Sequence, residues 1–211
     1  MNKFLYFLIL LLGSLGFASC TETKEDLAEF GDWQNRNETY FTNIYQKAKS
    51  DTNDYKIIRD WSLEKGVATS PEDNIVVQVL NQGVGSGCAL YTDSVRVHYE
   101  ARLIPSATYT SGYVFNKTWS GDYNLATMHP ATLRVSALVD GMTTALMHMH
   151  IGDRWRVYIP YQLGYGTTTS TSTSIPAYST LIFDLTLVSY YRVGTQVPSN
   201  QAKPFIGWIE D

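Results

Sequence analysis

The stretch Val95-Arg96-Val97-His98-Tyr99-Glu100-Ala101-Arg102 decides the fold. Apolar and polar residues alternate through it without a break, the period of a β-strand with one face on a core and the other toward water. One-sided strands belong to antiparallel sheets, since parallel strands are covered on both faces and read as continuous apolar runs. The segments Ile75–Leu80, Trp155–Ile159 and Thr180–Leu187 carry further strand patterns, the second closed by Pro160. Leu138, Met142, Ala145 and Met149 recur at steps of four, three and four, which stripes one side of a short helix. The pattern therefore predicts an α+β domain in which a twisted antiparallel sheet wraps one short helix.

Upstream, Tyr40, Phe41, Ile44, Tyr45 and Ala48 fall at helical spacing between Asn35 and Ser50. The following stretch, 51–71, is mixed and receives no assignment. The reading divides the chain into a leader (1–19), a tether (20–33), a helical extension (34–72), the main domain (73–191) and a tail (192–211). Phe205, Ile206 and Trp208 predict that the end of the tail docks.

Several landmarks follow one another in the main domain: Val97-His-Tyr99, Val114-Phe115, Leu138-Val-Asp-Gly141, Leu163-Gly-Tyr-Gly166, Ile175-Pro176 and Thr180-Leu-Ile-Phe183. In order and spacing they resemble the FKBP-type peptidyl-prolyl cis-trans isomerases. The reaction this resemblance implies is rotation about an X-Pro amide, whose partial double-bond character sets a barrier of about 18–20 kcal/mol. Rotation needs no nucleophile, metal or cofactor. It needs an apolar, aromatic cavity that holds the amide in its twisted form, with one or two hydrogen-bond donors.

The resemblance carries that pocket onto named positions. Tyr99, Phe115, Asn116, Tyr165 and Phe183 are the expected catalytic set, with Tyr165 donating its hydroxyl to the bound peptide. Leu133, Leu138, Val139, Met142 and Ile175 are the expected substrate-binding walls, with the Val139 amide gripping a carbonyl. Two positions depart from the family pattern. Asn116 stands where an aspartate follows the phenylalanine, which removes a charge and adds a donor. Met142 stands where a tryptophan forms the floor, so a flexible thioether replaces a flat ring. These departures keep open a second function, a module of the same fold that binds peptides or proteins without turnover, or a subunit of an outer-membrane assembly.

Lys3 followed by the apolar run Phe4–Leu12 reads as a signal peptide, too short to span a membrane. Ala18-Ser19-Cys20 resembles a bacterial lipobox, which makes Cys20 the lipidated residue. Lys24-Glu25-Asp26 resembles the short signal that sends Bacteroidetes lipoproteins to the cell surface. The expected location is thus the outer membrane, facing periplasm or exterior. Cys88 is then left without a disulfide partner. Loss of Lys3 takes the net charge from −4 to −5, which argues against nucleic acid. The expected partners are proline-containing peptides or unfolded exported proteins. His148-Met-His150 lacks the further ligands of a metal site, and no Gly-x-Ser-x-Gly elbow is present.

Overall fold

The computed structural model describes residues 29–67, 69–169 and 175–192, together with the backbone of Trp208–Ile209. The leader, Cys20, residues 170–174 of the Thr/Ser loop and most of the tail lie outside the described residues. The sheet lies within the unit Asp32–Asp211.

That sheet is antiparallel throughout and eight-stranded among the described residues. In chain order its strands are β1 (Tyr55–Arg59), β2 (Asn74–Asn81), β3 (Ser94–Arg102), β4 (Val114–Lys117), β5 (Ala131–Arg134), β6 (Arg154–Ile159), β7 (Leu181–Tyr191) and β8 (Trp208–Ile209). The order across the sheet is β1-β2-β6-β7-β3-β4, with β5 also on β3 and β8 also on β7. Helix α1 (Trp33–Ser50) precedes the sheet, and α2 (Asp140–Leu146) lies between β5 and β6.

The mixed stretch 51–71 contains β1, which pairs with β2 from Tyr55↔Gln78 to Arg59↔Asn74. Its short length and single buried residue, Tyr55, left little periodic signal. The turn after β1 also anchors α2. The hydroxyl of Thr144 lies 2.9 Å from the buried Asp60 carboxylate and accepts the Trp61 N–H at 3.2 Å. The indole N–H of Trp61 donates to Asp140 at 3.3 Å. Every residue of α2 after Asp140 is buried, so the helix has no wet face. It is shorter than its apolar stripe: Leu138 and Val139 precede it in extended conformation, and Met149 follows it in the core.

One face of β3 departs from the expected alternation. Val95, Val97 and Ala101 are buried as the pattern requires, but His98, on the supposed wet face, is only 2% exposed. The segment after β4 roofs this face: the Tyr123 hydroxyl meets Thr186 at 2.7 Å, and Thr186 is the register partner of His98. Beside them the buried Asp184 receives two bonds from Arg154, at 2.8 and 3.1 Å. Glu100 pairs with Lys117 at 3.0 Å. The polar residues of this face form a half-buried ionic layer that period-two patterning cannot distinguish from an exposed one.

Candidate active site

The concave face of the sheet, the turn Val135–Ala137 and the start of α2 enclose an open cavity of about 190 Å³. Tyr99 and Ala101 reach it from β3, Phe115 and Asn116 from β4, Leu133 from β5 and Phe183 from β7. Ala137, Leu138, Val139 and Met142 supply the opposite side, and Tyr165 comes from the loop after the 3-10 turn Tyr161–Leu163. Nine of the ten expected pocket residues therefore line one cavity. The tenth, Ile175, is 1% exposed in the core and does not reach it. Ala101 and Ala137 line the cavity without having been expected. Ala101 shares the face of Tyr99 by strand period, so its signal was present; small residues simply carry none of the chemistry that draws notice.

The aromatic walls pack against one another. The rings of Phe115 and Phe183 lie 6.2 Å apart at 87°, and those of Tyr99 and Phe183 lie 6.0 Å apart at 53°. Edge-to-face contacts of this kind are favourable and hold the rings without filling the space in front of them. Met142 is 3% exposed and closes the floor. Its thioether is apolar, so the floor remains dry in character although it is no longer flat.

Two kinds of donor border this apolar space. Burial pushes the hydroxyls of Tyr99 and Tyr165 up from their ordinary value, and Tyr99 is pushed further by Tyr165. Both therefore stay protonated, neutral donors at physiological pH. The second kind is backbone. Val139 is extended (φ −63°, ψ 149°), and its N–H has no acceptor among the described residues. Asn116 sits exposed at the rim with its carboxamide. A cavity of apolar walls with neutral donors can take a proline ring and a peptide carbonyl; it offers nothing to drive proton transfer or nucleophilic attack.

The histidine pair has separate duties. His148 Nδ1 lies 2.8 Å from the Thr144 carbonyl, and His150 pairs with Asp153 at 3.6 Å. Among the described residues no group of three or more His, Cys, Asp or Glu is arranged to hold a metal ion.

Comparison with known proteins bears on the same region. The sequence model of the FKBP-type peptidyl-prolyl cis-trans isomerases matches residues 88–188, from just before β3 to near the end of β7. The macrophage infectivity potentiator of Trypanosoma cruzi is 30% identical over 188 residues, covering 89% of this chain and 84% of that protein. The chain belongs to the FKBP-type peptidyl-prolyl cis-trans isomerase family. The FKBP-type 22 kDa isomerase of Escherichia coli K12 is 35% identical over 133 residues, 63% of this chain and 57% of that protein. The chain thus spans a little over half the length of this relative. A crystal structure of a peptidyl-prolyl isomerase from Pseudomonas syringae pv. tomato superposes with a TM-score of 0.53 at 20% identity, over 75% of this chain and 96% of that one. At that identity the likeness speaks for the fold, an FKBP-like α+β sheet.

Proposed function

We propose that this FKBP-family chain isomerises X-Pro bonds in exported proteins, held at the outer membrane by a lipid on Cys20. The single observation that carries the reading is the cavity in which Tyr99, Phe115, Met142, Tyr165 and Phe183 converge. A proline ring enters in front of Phe115 and Phe183 and rests toward Met142. Tyr165 and the Val139 amide bind carbonyls on either side of the amide. Desolvation favours the twisted amide, in which the C–N bond has lost conjugation and charge separation, over the planar ground state. A few kcal/mol of preference for the twisted form suffices, since about 1.4 kcal/mol is tenfold in rate. The leader Met1–Ser19 and the Ala18-Ser19-Cys20 sequence support export and anchoring.

Asn116 and Met142 favour a second reading, a pocket that captures proline segments with little turnover. The test is isomerisation of a panel of X-Pro peptides by the full chain in detergent, beside equilibrium binding of the same peptides. Acceleration that falls in Phe183→Ala supports the enzyme. Binding without acceleration supports the capture module, and neither would overturn both.

A further inference from the structure

We propose that the N-terminal turns of α1 serve the catalytic pocket, with Asn37 and Trp33 as positioning residues that hold its Tyr165 rim. This rests on the isomerase reading of that pocket.

Tyr165 stands on a loop with two backbone ties beside it. The Gly166 N–H donates to the Tyr161 carbonyl at 2.9 Å, and the Tyr178 N–H donates to the Gly166 carbonyl at 3.0 Å. The place of the Tyr165 hydroxyl therefore depends on where Tyr161 and Tyr178 are held. Their rings meet edge to face at 5.1 Å, and the Tyr161 hydroxyl donates to Glu38 of α1 at 3.4 Å.

The stronger ties follow Tyr178. The Trp33 indole N–H donates to the Ser179 hydroxyl at 2.9 Å, which in turn donates to the Pro176 carbonyl at 2.7 Å. The Thr180 N–H donates to Asn37 Oδ1 at 2.7 Å, and Asn37 Nδ2 donates to the Trp33 carbonyl at 2.7 Å. Asn37 is wholly buried. A buried carboxamide with both ends satisfied fixes its partners closely, because any displacement strands polar groups away from water.

Backbone strain points the same way. Tyr178 has φ +61°, a left-handed conformation that a side-chain-bearing residue keeps only where its surroundings hold it. Its own N–H is held by the Gly166 carbonyl, and the two residues that follow it are held by Trp33 and Asn37 of α1. Thr180 then leads directly into β7 and Phe183, so one helix fixes two walls of the cavity. Donor placement matters to rate because small displacements from the productive geometry cost heavily.

The test uses the full chain in detergent with fluorotyrosine incorporated, the Tyr165 fluorine resonance being assigned from Tyr165→Phe. Asn37→Ala and Trp33→Phe are compared with Ala48→Gly, which loosens α1 at its far end without touching the clamp. Asn37→Ala and Trp33→Phe are expected to shift the Tyr165 resonance and to lower kcat/KM roughly tenfold, at temperatures where both are folded. Ala48→Gly is expected to lower the melting temperature and leave resonance and kcat/KM in place. An unmoved Tyr165 resonance in both clamp variants, or an equal loss of kcat/KM in Ala48→Gly at equal loss of stability, overturns the proposal. If Asn37→Ala does not fold, Trp33→Phe decides. Wild-type protein without acceleration defeats the isomerase reading instead, and the resonance alone then judges the clamp.

Discussion

Gly141 of α2 lies against Ile159 of β6 so closely that a Cβ on the glycine would stand 2.3 Å from the Ile159 Cγ2. The branch of a β-branched side chain cannot swing away, so the helix and not the isoleucine must give. Gly141→Ala is therefore expected to cost about 1–3 kcal/mol of stability. Urea unfolding would check it. Because Met142 follows directly, the same variant should also weaken binding of proline peptides, readable by titration calorimetry.

The pocket donors lead to a second expectation. Tyr165→Phe removes a hydroxyl and little volume, so kcat/KM on X-Pro peptides should fall roughly three- to tenfold while the melting temperature stays put. The pH profile should be flat from about pH 6 to pH 9, since burial holds the tyrosine hydroxyls above their ordinary range. A break in that interval would point to a different group at work.

Rim and floor can be tested separately. Asn116→Asp restores a carboxylate that accepts charge-assisted bonds, and is expected to raise kcat/KM roughly two- to fivefold. Met142→Ala opens the floor and should lower stability by about 2–5 kcal/mol with weaker peptide binding. Rate and affinity measured on both variants would show which departure shapes activity.

His98 sets an acid limit. Burial and the neighbouring His129 hold its imidazole below the ordinary histidine value, so the folded state favours the neutral ring. The unfolded chain then binds more protons as pH falls below about 6.5, and stability present above that point is lost as pH drops through the folded value. Urea midpoints at about pH 5 and pH 7.5 should differ in that sense, and His98→Gln should narrow the difference.

The readable parts of this fold are those with a repeating period. Val95, Val97 and Ala101 disclosed β3, and Met142 and Ala145 disclosed α2. The pocket aromatics were legible because the family motifs place them in order along the chain. Residues whose role comes from a distant partner were not legible. Asn37 looks like any polar helix residue until Thr180 lies beside it, and His98 looks exposed until Tyr123 roofs the sheet. Ile175 carries a pocket motif and is buried in the core, as are the cavity residues Ala101 and Met142.

The bonds from Trp33 to Ser179 and from Asn37 to Thr180 close loops of 146 and 143 residues. The helix thus has its polar partners far along the chain, beyond most of the sheet strands. Contacts of such sequence separation are slow to form, since the closure entropy must be overcome before they contribute. Until Thr180 is in place, the buried Asn37 carboxamide lacks the N–H it accepts there. The closure that joins Asn37 to Thr180 would then also be one that sets the Tyr165 rim, so the longest-range contacts of the fold and the finished pocket arrive together.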